Sequence, residues 1–323
     1  MRVLITGASG FAGSFLARAC TRAGDEVVGI SLTGEICDGC GSGLAVDLLD
    51  GEAVRSAVAS AGADVIYHLA ALSSVGRSWE EPARTVQDNV VMSVNMLEAL
   101  RLEAPTVRTV WVSTCEVYGV PEALPLTEDA RLNPANPYAV SKATGDMLAA
   151  VYVDAHRLNL VRVRPFNHAG PTQRTIFLMS SLARQAAEAV LGEAQSLEIV
   201  TGNPDTRRDF TDVRDVVRGY RLLGHAICSG KPGTSGAVFN VSSGHSVSAA
   251  EQVAMLAELV SPIDVEHVVD PAKIRASEVM DLRGDPSRLR TITGWEPSIP
   301  LRQTMADTIE WWDRRQHEGS AAA

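Results

Sequence analysis

The chain has 323 residues, 46% of them hydrophobic and 21% charged, with a formal net charge of −10. That length accommodates one large α/β domain or two smaller units with a substantial core, and the acidic balance argues against non-specific nucleic-acid binding, which works by neutralising phosphates. No apolar run approaches the roughly 18 residues of a membrane span, and the N-terminus carries no basic-then-apolar leader, so no membrane partner and a cytoplasmic location are expected.

Val3–Thr6 reads as a short buried strand. It runs into Gly7-Ala-Ser-Gly10-Phe-Ala-Gly13, and Ser14 to Arg22 reads as the helix that follows. A second strand is expected at Val27–Ile30. The lone Cys37-Asp-Gly-Cys40 lies in a glycine-rich loop with no second ligand pair, so it reads as an ordinary loop and not as a metal or redox site. An odd count of five cysteines speaks against a disulfide framework. Helices are expected at Gly51–Ala61, Thr85–Glu103 and Tyr138–His156. Further buried strands are expected at Asp64–Ala70, Thr109–Thr114 and Leu160–Arg164. This alternation predicts a Rossmann-type doubly wound parallel sheet, with ligands beyond the carboxyl ends of its strands.

Past Pro165 the regularity breaks at the turn signals Gly170-Pro171 and Gly202-Asn-Pro204. Helical spacing returns over Phe210–Leu223, and Ala237–Val241 looks like one more sheet strand. The expected division is a cofactor-binding domain of residues 1–166 plus about 209–243, and a smaller lobe closing over the substrate from about 167–208 plus 244–318. The small polar tail from Glu318, with 319–323 outside both units, is expected to fray.

Two features carry chemistry. Glycines at 7, 10 and 13 let backbone amides approach a pyrophosphate that the helix N-terminus then stabilises. The pattern is weak alone, but it stands here at the start of a β-α-β unit, the context it requires. Tyr138 and Lys142, four residues apart on a helix, share one face. A lysine cation there favours the phenolate and would lower the phenol's pKa from about 10. Such a tyrosine exchanges a proton with a substrate oxygen while a nicotinamide exchanges hydride.

The chain resembles the extended short-chain dehydrogenase/reductase family, in its nucleotide-sugar-modifying branch. The resemblance spans nearly the whole chain. It rests on Thr6-Gly-Ala-Ser-Gly-Phe-Ala-Gly13, Val46-Asp-Leu48, His68-Leu-Ala-Ala71, Asn89, Ser113-Thr-Cys-Glu-Val-Tyr-Gly119, Asn136-Pro-Tyr-Ala-Val-Ser-Lys142, Arg164-Pro-Phe-Asn167 and Arg207-Arg-Asp-Phe-Thr-Asp-Val213. It implies that Gly7, Ser9, Gly10, Phe11 and Gly13 hold the cofactor, with Asp47 at the adenine. Leu48, Leu69, Ala70, Ala71 and Asn89 would lie along the cofactor's path. Tyr138 would be the proton donor or acceptor, Lys142 would hold the nicotinamide ribose, and Thr114 would bond the reacting oxygen. The plain alternatives are a helix N-cap for Asp47 and a strand-end threonine for Thr114. Ser31-Leu-Thr33 at the end of the second strand has neither the acid that binds an NAD ribose nor an arginine for NADP; the missing carboxylate leans the cofactor reading from NAD(H) to NADP(H).

Within that branch the chain is similar to reductases of GDP-linked 4-keto-6-deoxymannose, through Arg164–Pro171, Arg208–Asp215, Arg275–Val279 and Gly294–Pro297. The likeness implies that Asn167, Arg208 and Arg275 hold the substrate diphosphate, that Glu278 accepts from the nucleoside ribose, and that Ser73 touches the sugar. The plain alternative for the arginines is ion pairing with Asp209, Glu278 or Asp281. Thr114-Cys115-Glu116 divides the reading, since it also resembles nucleotide-sugar 4,6- and 5,6-dehydratases. In these Glu116 would take the C5 proton and Cys115 could act as the acid, unless Cys115 merely fills space. Three functions follow: a 4-ketoreductase consuming NAD(P)H, a dehydratase that recycles its nicotinamide, and a silent dinucleotide-binding regulator. A homodimer through the two long helices is the family habit.

Overall fold

The computed structural model describes residues 1–274 and 279–321, with side chains through residue 317; Arg275 and Glu278 lie outside the described residues. The first half runs β1 (Arg2–Thr6), α1 (Phe11–Arg22), β2 (Glu26–Ser31), β3 (Ser42–Ala45), α2 (Gly51–Ala61), β4 (Val65–His68), α3 (Val75–Glu80), α4 (Pro82–Glu103), β5 (Arg108–Val112) and α5 (Pro137–His156). Then come β6 (Leu160–Pro165), β7 (Asn167–Ala169), α6 (Leu178–Leu191), β8 (Ser196–Thr201), β9 (Arg207–Asp212), α7 (Val213–Cys228) and β10 (Val238–Val241). The chain ends through β11 (Ser246–Ser248), α8 (Ala249–Leu259), β12 (Asp264–Val269), β13 (Asp281–Leu282), α9 (Ser287–Thr293) and α10 (Leu301–Ala321). Helix α10 thus enters the stretch expected to fray; residues 322–323 lie outside the described residues.

Seven strands form one parallel sheet in the order β10-β6-β5-β4-β1-β2-β3. Their apolar runs, such as Val3-Leu-Ile5 and Val27-Val28, are buried because helices cover both faces. One core joins the sheet to α1 and α7 through Val3, Ile5, Leu16, Val216 and Phe239. The other joins it to α2, α4 and α5 through Leu4, Ile66, Met96, Leu97 and Trp111. After β1 the chain winds outward through β2 and β3, then returns to place β4 on the other side of β1. That reversal is the switch point at which such sheets hold ligands. Beyond the large sheet, β9 pairs with β7, β11 and β13, and β8 pairs with β12.

Three expectations change. Strand β3 was not foreseen: Ser42-Gly-Leu-Ala45 has no branched run and pairs only with β2 at the sheet edge. Helix α7 begins at Val213 and not at Phe210. The residues before it form β9, whose inward positions are the polar Asp209 and Thr211, so no apolar alternation marks the strand. Cys37 and Cys40 form a disulfide, closed by a tight turn in which Cys40 N donates to the Cys37 carbonyl at 2.8 Å.

One buried ion pair seats α5 on the sheet. Asp146, fully buried on α5, receives Arg164 Nε and Nη2 at 2.9 and 3.0 Å and Arg162 Nη1 at 2.9 Å, both arginines from β6. Burial alone would raise the Asp146 pKa; the arginine bonds and charges outweigh it and hold the carboxyl below its ordinary value. Arg164 also donates to Tyr118 Oη, which donates in turn to Asn240 on β10. Removing one partner of such a pair strands the other charge in the core. Asp146→Ala is therefore expected to cost about 3–5 kcal/mol in urea unfolding; a loss below about 1 kcal/mol would contradict the role given to this pair.

Candidate active site

A cleft of about 310 Å³ opens at the carboxyl ends of β1, β4, β5 and β6. Its floor is the glycine loop. Gly7 sits at φ +71°, where side chains are strained, and a Cβ on it would stand 3.0 Å from the Ala70 backbone. A Cβ on Gly13 would strike the Gly7 carbonyl. Gly10 begins α1 without any side-chain cap, so the first amides of the helix keep no side-chain acceptor. Thr6 Oγ1 closes the corner: it meets His68 Nδ1 at 2.9 Å and accepts from the amides of Leu69 and Ala70 at 3.2 Å each. His68 lies under Trp111, and burial lowers its pKa to about 3, so it is neutral. A narrow cradle of backbone with an uncapped helix end suits a pyrophosphate. These residues therefore fit a dinucleotide.

The opposite wall comes from β5 and α5. Thr114 Oγ1 accepts from Glu116 N at 3.3 Å and starts a single 3₁₀ turn, Cys115–Tyr118. Asn136 caps α5 by accepting from Ala139 N at 2.8 Å, and its amide donates to Glu116 at 3.1 Å. One side chain thereby fixes both the helix start and the carboxylate. Tyr138, Lys142, Thr114, Cys115 and Glu116 all line the cleft. Lys142 Nζ donates to the Val112 carbonyl at 2.7 Å, and burial lowers its pKa to about 8, against the pull of Asp146.

The expected acidic phenol is not found. Burial is the largest influence on Tyr138 and pushes its pKa up; a hydrogen bond with Thr114 opposes it, while Glu116 and Cys115 reinforce it, and Lys142 is not among the influences. Helical spacing puts Lys142 on the right face, but its ammonium is tied to the Val112 carbonyl, and desolvation of the phenolate sets the direction of the shift. Cys115 is 3% exposed, and burial, then Glu116, push its thiol well up, with Arg208 opposing.

Gly7, Gly10, Phe11, Gly13, Leu69, Ala70, Ala71, Ser73 and Asn167 also line the cleft. The Asn167 side-chain oxygen is buried without a partner among the described residues, which leaves an acceptor for a ligand's donor. Ser9, Asp47, Leu48, Asn89 and Arg208 are not on the wall. Asp47 accepts from Leu49 N at 2.9 Å within its own turn, while the cap of α2 is Asp50 and not Asp47. Leu48 is a core residue. Asn89 is buried behind the wall, bonded to Ser141 Oγ at 2.8 Å and to both backbone groups of Leu72, so it braces the segment that carries Ala71 and Ser73. Arg208 spends Nη1 on the carbonyls of Arg207 and Val279, each at 2.7 Å, and forms no ion pair among the described residues.

Sequence reasoning missed several wall residues: Ser113, His168, Gln173, Phe177 and Tyr220. His168 stacks on Phe11 at 5.9 Å and stands next to Asn167, so the segment after Arg164-Pro-Phe was the available signal. Tyr220 had none, because its place on the inner stripe of α7 looks like ordinary core. A larger groove of about 680 Å³ lies on the outside of α3, α4 and α5, lined by apolar residues such as Trp79, Pro82, Val86 and Val140. It contains no proton-transfer group, so the chemistry belongs to the smaller cleft.

The comparisons with known proteins agree with this geometry. The family model described as GDP-mannose 4,6 dehydratase matches residues 4–308. The GDP-6-deoxy-D-mannose reductase of Pseudomonas aeruginosa is 37% identical over 259 residues, covering 79% of this chain and 82% of that protein. The solved structure of RMD from Pseudomonas aeruginosa complexed with NADPH superposes with a TM-score of 0.82 at 31% identity, covering 98% of this chain and all of that one. TunA, an NAD-dependent NDP-hexosamine 5,6-dehydratase of tunicamycin biosynthesis, superposes at 0.81 and 30% identity, covering 97% and 98%. Relatives also include UDP-glucose 4-epimerases and GDP-mannose 4,6-dehydratases. With its Rossmann-like sheet, its glycine cradle and its tyrosine–lysine wall, the chain belongs to the GDP-mannose 4,6 dehydratase family of extended short-chain dehydrogenases/reductases, and is an NAD(P)-dependent nucleotide-sugar-modifying enzyme.

Proposed function

We propose that the enzyme reduces the C4 ketone of a 4-keto-6-deoxy hexose linked to GDP. The observation that carries this reading is the meeting of Thr114, Tyr138 and Lys142 on the wall facing the glycine cradle, with the phenol kept protonated by burial. When bound, the reduced nicotinamide supplies hydride to C4. The chain's residues do the rest. Thr114 and Tyr138 hold the ketone oxygen, and Tyr138 gives it a proton as negative charge develops there. A phenol held in its neutral form suits this direction, since reduction needs an acid at that oxygen and oxidation needs a base. Lys142, pinned to the Val112 carbonyl, keeps a donor at the nicotinamide ribose. Asn167 and Ser73 face the sugar nucleotide from the cleft wall. Arg208 offers a phosphate its Nε and Nη2, which have no partner among the described residues. Arg275 and Glu278 remain assigned to diphosphate and ribose by likeness alone. In this reading residues of about 167–208 and 244–318 hold the nucleotide sugar, and residues 1–166 with about 209–243 hold the cofactor.

The preferred cofactor in this reading is NADP(H). No carboxylate stands at Ser31-Leu-Thr33 to repel a 2′-phosphate, and the Ser31 hydroxyl is occupied by the Gly34 amide at 3.0 Å. The Pseudomonas aeruginosa structure with NADPH supports the same choice.

A second reading, dehydration, is favoured by one observation: Glu116 reaches the cleft beside Cys115 and is held there by Asn136. In that case a bound oxidised nicotinamide would supply a reversible hydride acceptor, Tyr138 would take the C4 hydroxyl proton, Glu116 would take the C5 proton, and Cys115 would give a proton to the C6 hydroxyl that leaves as water. The two are separated by one assay. With GDP-4-keto-6-deoxymannose and NADPH, the reduced-nicotinamide absorbance is expected to fall in proportion to product formed. Tyr138→Phe is expected to remove about 10²-fold or more of that rate, whereas Glu116→Gln changes it little. Water loss from a GDP-hexose with no net cofactor consumption, abolished in Glu116→Gln, would establish dehydration instead.

We also propose a homodimer through the outer faces of α4 and α5. Val140, Met147 and Val151 lie on one stripe of α5 and are 41%, 59% and 57% exposed, beside a 58% exposed Trp79. Such an apolar stripe calls for a partner. Light scattering is expected to give a dimer mass for the wild type and a monomer mass for Met147→Glu/Val151→Glu. A dimer undisturbed by both charges would place the contact elsewhere.

A further inference from the structure

The Cys37–Cys40 disulfide has no part in the chemistry above, yet it is built into the cofactor-binding corner. The loop that carries it leaves the end of β2 and returns into β3. In a dinucleotide fold that segment meets the adenosine ribose.

The cysteine turn is seated on two elements. On α1, Thr21 Oγ1 donates to the Gly39 carbonyl, and Arg18 Nη1 meets Asp38 at 3.2 Å. Gly39 lies at φ +89° with no room for a Cβ against the Arg18 backbone, so the turn rests directly on the helix. On β2, Gly41 N donates to the Val27 carbonyl at 2.8 Å. The sulfurs cover Gly29: a Cβ there would stand 2.9 Å from Cys40 Sγ and equally 2.9 Å from the Ala8 methyl. Ala8 belongs to the glycine loop itself. Disulfide, Gly29 and glycine loop are therefore consecutive layers of one packed wall.

We infer that Cys37–Cys40 is a reversible thiol–disulfide site that sets how tightly the cleft holds the adenosine half of its dinucleotide. The inference rests on the assignment of the glycine cradle to that cofactor. Both cysteines are partly exposed residues of a surface loop in which Leu32, Ile36 and Asp38 are exposed, with their sulfurs packed inward over Gly29, and a dithiol reagent enters from the loop side. A thiolate of that reagent attacks one sulfur and displaces the other as thiolate, which takes a proton. The reagent's second thiol then releases the first cysteine. The protein gains two thiols, and the reagent leaves as its disulfide. Of the other three cysteines, which are free, Cys20 and Cys115 are buried, and the partly exposed Cys228 is counted as a thiol in both redox states. Once reduced, the Cys37–Cys40 turn loses its cross-link while its seat on α1 at Gly39 remains, so the layer over Gly29 and Ala8 is no longer held covalently and binding must order it again.

The test uses the full chain, equilibrated with either reduced or oxidised dithiothreitol, and titrated with NADPH by fluorescence. Alkylation followed by intact mass counts the thiols. Reduction is expected to expose two additional thiols and to weaken NADPH binding about tenfold, equivalent to about 1.4 kcal/mol, reversibly on reoxidation. Cys37→Ser/Cys40→Ser is expected to bind like the reduced protein and to ignore the reagent. Equal affinity in both states overturns the inference, as does a redox response that survives in the double variant. Should NADPH bind in neither state, the same titration with NADH is expected to show the tenfold redox difference; absence of binding by both nucleotides would remove the cofactor assignment, and this inference with it, so the wild-type titrations distinguish the two failures without relying on the variant.

Discussion

One wall of the cleft depends on a single inward-facing stripe of α5. Tyr138, Lys142 and Asp146 follow one another at four-residue intervals, so they project from the same face, one turn apart. Each is tied to a different part of the sheet end. Asp146 is clamped by two arginines of β6, Lys142 by a carbonyl of β5, and Tyr138 by the threonine that follows β5. The helix start is tied as well, through Asn136 and Glu116. Tyr138 is therefore located by the whole seat of the helix and not by one contact. Burial on that seat is the largest influence on both groups, raising the phenol's pKa and lowering the lysine's to about 8.

The glycine cradle is built by the opposite strategy, removal of side chains. Gly7 and Gly13 leave backbone facing backbone, and Gly29 leaves a hollow that Ala8 and the cysteine pair share. Thr6 then ties the β1 end to Leu69 and Ala70, so the cradle and the path beside β4 move as one piece. Shape on one wall and desolvated acid–base groups on the other produce a cleft whose two sides have separate tasks.

Much of this was legible in the sequence, for physical reasons. The central strands are apolar runs, and α2 is found at Gly51–Ala61 as its periodicity predicts. The glycine spacing and the Tyr138–Lys142 interval identify both walls of the cleft before any tertiary information. What stayed hidden depends on burial of polar groups or on distant packing. Strand β9 turns Asp209 and Thr211 inward, which no hydrophobic pattern reveals. That Asn89 braces the segment at Leu72 and that Asp47 closes its own turn are likewise contacts that spacing does not show. Tyr220 and His168 reach the cleft from elements whose spacing suggests core and strand. The sign of the Tyr138 shift was also out of reach, because spacing reports which groups are neighbours, and only the fold reports how dry their surroundings are.

The most direct test of this account is the titration of Tyr138 in the free enzyme, followed through an isotope label on the phenolic ring carbon and assigned by its loss in Tyr138→Phe. The account predicts that the signal stays that of a neutral phenol up to and beyond about pH 10, the ordinary tyrosine value. A phenolate appearing near neutral pH would show that the Lys142 ammonium, and not burial, governs the proton, and would contradict the assignment of Tyr138 as the resident acid.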